Sequence, residues 1–239
     1  MTPSSLDLPP FPGFRAIGLQ FLRDLKQNND RDWFKPRKAV YEDELVWPMK
    51  CLIGELAAEA SRAGLPISAD PASAIFRIYR DVRFSKNKNP YKTHIGAVLS
   101  KSGDKKESGG VYIHVEPGQS FISGGFWQPD NRFLQAWRHR IEAMPERFLS
   151  IASDVEDAGL TLESTDELKR FPRGTRLEED HPASRFLKWK SFLGTRHVAD
   201  DELMDPDFTA TALTSIRAVL PLLEFGWELK TPPSGDESS

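Results

Sequence analysis

Three arginines and a carboxylate fall within seven residues in the run Ile75-Phe76-Arg77-Ile78-Tyr79-Arg80-Asp81-Val82-Arg83-Phe84. A guanidinium group is a planar fork of N–H donors that matches phosphate or carboxylate oxygens in pairs. The following Ser85-Lys86-Asn87-Lys88-Asn89-Pro90-Tyr91-Lys92 adds three lysines, two asparagines and a tyrosine, so mobile ammonium charges follow the rigid forks. These residue types suit the holding of a phosphorylated or otherwise anionic ligand. Arg77, Arg80 and Arg83 would hold the anion, Lys88 and Lys92 add charge, and Asn87 and Tyr91 contribute an amide and a hydroxyl. Asp81 either orients an arginine or holds Mg²⁺. Phosphoryl or nucleotidyl transfer asks a protein mainly for positioning and charge neutralisation, so it is the reaction class to test if the ligand is turned over.

Read as a strand, the run places Phe76, Ile78, Arg80, Val82 and Phe84 on one face and Ile75, Arg77, Tyr79, Asp81 and Arg83 on the other. Arg80 thus interrupts an apolar stripe. A guanidinium in that position needs a partner, because an unpaired buried charge is among the most costly features a fold can contain. An internal carboxylate and a bound anion both satisfy the requirement. Two further readings of the segment therefore stand beside the anion site: an internal ion-pair network in a structural or protein-interaction domain, and part of a nucleic-acid-binding module.

The spaced set Arg77, Arg80-Asp81, Arg83-Phe84, Asn87-Lys88 and Tyr91 resembles the signature of a mostly bacterial family, domain-of-unknown-function family 2461. The resemblance extends upstream to Phe21-Leu22, Asn28-Asn29, Trp33-Phe34 and Tyr41. Downstream it takes in Gly124-Gly125 and the stretch Leu168 to Gly174, so it covers about Phe14 to Leu229. It implies family membership over most of the chain and brings no reaction with it.

The elements that must position the segment follow from periodicity. A helix is expected over about 16–27, with Ile17, Phe21, Leu22 and Leu25 on one stripe. A longer helical region over about 36–62 carries Tyr41, Leu45, Met49, Leu52, Leu56 and Ala60 at three- and four-residue steps, with an interruption near Trp47 because Pro48 lacks an N–H. The middle reads as strands over 75–82, 93–100, 111–116 and 121–126, with Pro117-Gly118 as a turn. Asp130 or Asn131 caps the next helix and Pro145 starts another. Helix is also expected over 184–192 and 207–228. The class is α+β, a central antiparallel sheet of about four strands flanked by N-terminal and C-terminal helices. Residues 1–13 read as a loosely docked arm, 14–230 as one domain, and 231–239 as a disordered acidic tail.

Net charge is −3, yet residues 75–106 carry a local +7, which concentrates positive charge against an acidic remainder. A second basic run, 169–196, carries +5 and interleaves Phe171, Phe186 and Trp189. Aromatics among cations suit stacking on a nucleic-acid strand, whereas aromatics at helical spacing more often pack inward. The five histidines show no paired metal spacing and the single cysteine, Cys51, lies among apolar neighbours, so a structural zinc site is not expected and no metal ligand is assigned. His94 and His114 fall on what would be adjacent strands near the basic loop. Gly124-Gly125 lacks the spacing of a nucleotide-binding loop and suits close strand packing or a bulge. No run of roughly 20 apolar residues and no basic-then-apolar leader stands out, and the expectation is a cytoplasmic protein.

Overall fold

Leu19, Phe21, Leu22 and Leu25 lie one to three residues apart along one side of α1 (Ala16–Gln27), and all four are buried. The computed structural model describes residues 8–229; the expected tail over 231–239 and the first part of the expected arm lie outside them. Residues 8–13 form no helix or strand, yet Phe11 is buried against Phe14 and Phe208, and its N–H donates to the Glu55 carboxylate at 2.7 Å. The described part of the arm is therefore docked.

Asp30 caps α2 (Arg31–Phe34) by accepting the Trp33 N–H. A 3₁₀ turn, α3 (Lys38–Tyr41) and a π-helical turn over Glu42–Val46 lead into α4 (Trp47–Arg62). The interruption expected near Trp47 takes the form of this wider π turn, with Pro48 in the first turn of α4. Farther on lie α5 (Asn131–Ala143), capped by Asp130, α6 (Pro145–Asp157), α7 (Asp200–Met204) and α8 (Phe208–Trp227).

The class is α+β, and the central sheet is antiparallel. It holds five strands, β1 (Ile95–Ser100), β2 (Gly110–Val115), β3 (Ser120–Phe126), β4 (Thr161–Glu163) and β5 (Phe192–Val198), in the order β1-β2-β3-β5-β4. Three of the four expected strands are present. The fourth is not: 75–82 is irregular and bridges the sheet at Ile75 to Ala97, while its second bridge, Tyr79 to Tyr91, falls before β1 and two residues out of register with the first, so no continuous ladder forms. Beyond Tyr79 the pairing stops because the Asn89 N–H is taken by the Asn87 side chain at 2.9 Å and Pro90 has no N–H to offer. The helix expected over 184–192 is corrected too. Only Ser184–Lys188 coils, as a 3₁₀ turn, and Phe192 opens β5.

Register sorts the side chains. Ile113, Ile122, Gly124 and Gly194 lie on the face that receives α8, where the Cβ positions of Gly124 and Gly194 both point at Val219. Gly96, His114, Phe121 and His197 form a cross-strand row on the opposite face. α8 is 20 residues long and its most apolar 18 residues have a mean hydropathy of 1.2, enough by length and composition for a membrane span, where no such stretch was expected from the sequence. In this fold Ala212, Ile216, Val219, Leu222 and Leu223 bury its apolar side in the protein core.

Candidate functional site

The segment 77–92 doubles back on itself. The Arg80 N–H donates to the Pro90 carbonyl at 2.9 Å, and the Lys92 N–H donates to the Ile78 carbonyl at 2.8 Å. Asn29, between α1 and α2, holds this hairpin to the helical layer. Its amide donates to the Tyr91 carbonyl at 3.0 Å and its oxygen accepts the Tyr91 N–H at 3.0 Å. Tyr91 is buried, with its ring stacked on Phe34 at 4.2 Å. Burial raises its phenol pKa, so it stays protonated at neutral pH.

The expected site residues divide into two groups. Asp81, Arg83, Asn87 and Lys88 bind the loop to itself. Arg83 donates to both Asp81 oxygens, at 3.0 and 2.7 Å, and this pairing holds the Asp81 carboxyl below its ordinary value. Asp81 therefore orients an arginine. The Lys88 ammonium donates to the Val82 carbonyl at 3.0 Å. These groups are exposed, and the ring of Phe84 beside them is 97% exposed.

Arg77, Arg80 and Lys92 are different: among the described residues none of them lies within ion-pair distance of a carboxylate. Arg80 is half-buried, and its guanidinium reaches the Asn89 carbonyl at a long 3.4 Å. It lines a groove of about 630 Å³ with Arg31, Lys35 and Lys38 from the helical layer, against one acid, Asp32. Four cations thus converge on one concavity. That volume falls within the range of small-molecule sites, about 300–1,000 Å³.

Arg77 faces a second groove, of about 450 Å³, on the other side of Tyr79, which lines both. Lys105, from the β1–β2 hairpin, lines it with Arg77 and Lys50, against Glu42. Lys92 and Lys105 place their ammonium groups 5.4 and 5.7 Å from the Phe76 ring. Burial first, then the charges of Arg77 and Lys105, lower the Lys92 pKa. Arg77 and Arg80, three residues apart, thus line two neighbouring concavities.

Arg31, Lys35 and Lys38 were not singled out from sequence, and Asn29 appeared there only as part of the family resemblance. The available signal was the basic content of 31–38. The second basic run connects β4 to β5, at the sheet edge opposite β1. Its Phe186 and Trp189 are buried and Lys190 pairs with Asp166 at 2.5 Å, so those aromatics serve as core. Cys51 is a buried thiol, and burial raises its pKa. Gly124 is accounted for by the approach of α8.

The family model described as "Conserved hypothetical protein (DUF2461)" matches residues 18–225. The chain belongs to this family. No curated protein matches it, and no solved structure does.

Proposed function

We propose that this protein binds a small phosphorylated or otherwise anionic ligand in the groove around Arg80. The observation that carries the reading is the convergence of Arg31, Lys35, Lys38 and Arg80 on one cavity with a single facing acid. Like charges gathered in a half-enclosed space repel one another, and an anion with several oxygens relieves that repulsion while accepting from each donor. The arginines supply directional forks and the lysines adaptable charge. Tyr79 and Tyr91 wall the groove with aromatic surface, which suits a ligand carrying a flat or apolar group beside its anion.

Topology favours a small ligand over a nucleic-acid strand. A strand reading would draw on both basic runs, and these lie at opposite edges of the sheet. Phe186 and Trp189 of the second run also pack inward, where no base can stack on them, and Phe171 is partly buried.

The test is thermal stability against a panel of inorganic phosphate, pyrophosphate, nucleotides and short RNA, with and without Mg²⁺. A ligand at 100 times its dissociation constant adds about 2.7 kcal/mol, a Tm rise of roughly 5–10 °C for this chain length. A rise with one phosphorylated compound that disappears in a folded Arg80→Ala variant supports the reading. No rise across the panel overturns it.

A further inference from the structure

We propose that His94, His114 and Glu116 form a binding site for a divalent transition-metal cation of the zinc type, on the sheet face opposite α8. One ligand atom from each of the three lies within 4.8 Å of the other two. Spacing along the chain hides the set, because His94 precedes β1 while His114 is in β2 and Glu116 just follows it. The register assembles it: Gly96 pairs with His114, and the imidazoles of His94 and His114 approach to 4.2 Å between ring centroids.

The His114–Glu116 donor spacing fits a shared cation, and all three donors lie within 4.8 Å of one another. His114 Nε2 and Glu116 Oε2 are 3.4 Å apart. Metal bonds of about 2.0–2.2 Å at tetrahedral angles set neighbouring donor atoms roughly 3.3–3.6 Å apart. The other groups around the cluster leave these donors available. Glu116 Oε1 is already engaged, accepting from the Thr93 hydroxyl at 3.0 Å and pairing with Lys26 at 3.4 Å, which turns Oε2 toward the histidines. Tyr112 Oη lies 3.1 Å from His114 Nδ1. A proton on Nδ1 shared with that hydroxyl leaves the Nε2 lone pair for the metal, the outer-shell support typical of ligating histidines.

His94 supplies the independent observation. Its imidazole is half-buried against His114 and makes no hydrogen bond among the described residues. Its ring nitrogens are committed to no group among the described residues, which leaves them available to a metal. Lys92 and Lys26 are the cations nearest the cluster, and Lys26 is already matched by Glu116.

Surrounding residues give the site a shaped wall. Phe121 stacks on His114 with ring centroids 4.6 Å apart and planes 10° from parallel. Gly96 leaves the space that the Tyr112 hydroxyl occupies, and any larger residue there would strike the ring. Two imidazoles and one carboxylate select Zn²⁺, Co²⁺, Ni²⁺ or Cu²⁺ over Mg²⁺ and Ca²⁺, which prefer all-oxygen sets. Three protein ligands leave a coordination position open for water or an exogenous donor.

The test uses the full chain freed of metal by chelation, titrated with Zn²⁺ by calorimetry and with Co²⁺ by visible absorption. We expect one equivalent bound, a Co²⁺ ligand-field band and no response to Mg²⁺. Glu116→Gln, which preserves shape, and His94→Ala should each weaken binding at least about 10-fold with folding intact by circular dichroism. His181→Ala, a surface histidine elsewhere, should leave it unchanged. Absence of stoichiometric Zn²⁺ and Co²⁺ binding overturns the proposal, as does binding that persists at full strength in both ligand variants. These residues do not line the Arg80 groove, so either outcome leaves the anion reading to its own test.

Discussion

Arg80 reaches the carbonyl oxygen of Asn89 at 3.4 Å, and no carboxylate among the described residues neutralises it. This separates two readings that sequence left open. Breaking a buried ion pair would destabilise the fold by about 3–5 kcal/mol. Removing a guanidinium that points into a solvent-filled groove changes stability by only about 0.5 kcal/mol in either direction. Arg80→Ala should therefore fold with a Tm close to that of the native chain and lose the Tm response to phosphorylated compounds. A drop of 6 °C or more, roughly 2–3 kcal/mol at this length, would instead place Arg80 in an internal network.

Asn29 carries the hairpin rather than the ligand. Both of its amide atoms are committed to the backbone of Tyr91. Asn29→Ala leaves a part-buried N–H and carbonyl unmatched, at a cost of about 1–3 kcal/mol. Because Tyr91 is next to Pro90, whose carbonyl accepts from Arg80, the loss should also loosen the groove. We expect lower Tm together with weaker phosphate-dependent stabilisation. Measuring both in one series checks this, and a variant that binds normally would show that the hairpin holds its shape without the clamp.

The cations around Phe76 make a third prediction. Lys92 and Lys105 share one ring with Arg77 nearby, and among the described residues Lys105 has only the Ser73 carbonyl, at 2.8 Å, as a hydrogen-bond acceptor. Raising NaCl from about 10 to 150 mM shortens the screening length from roughly 30 to 8 Å and should relieve their repulsion. The Tm of the native chain should rise over that range more than that of Lys105→Gln. Equal slopes in the two proteins would mean that the cluster is already neutralised.

Much of this architecture is legible in the residues, and the exceptions have physical causes. Alternation marked β2, the apolar set Ile95, Val98 and Leu99 marked β1, a one-sided stripe marked α1, and three- and four-residue steps marked α4. The same alternation misled at 75–82, where one side of an irregular segment is buried but the partner chain at Asn89-Pro90 cannot continue a ladder. β5 was hidden because its centre is Gly194-Thr195, and the glycine is there for packing rather than for strand preference. Basic residues at 77–92 were readable as a group. Which of them face a cavity was not, because Arg83 is satisfied by Asp81 two residues away while Arg77 and Arg80 point to opposite sides of Tyr79. His94, His114 and Glu116 meet through strand register, which spacing along the chain cannot report.

Gly124 and Val219 set how closely α8 lies on the sheet. A Cβ at Gly124 would overlap the Val219 side chain, and one at Gly194, directly across the strand pair, would press on the same valine and on Val155. Val219 is buried on the apolar side of α8, so it has no solvent to move into. Gly124→Ala should therefore push the helix outward at a cost of about 1–3 kcal/mol, as overpacked cores do. For a chain of this size that is a Tm loss of roughly 3–10 °C. Val219→Ala creates space at the same contact, and combining it with Gly124→Ala should cost less than the sum of the two single changes, since the pair share one volume. Strict additivity in that double-mutant cycle would show that the glycine is needed for its backbone and not for the approach of α8.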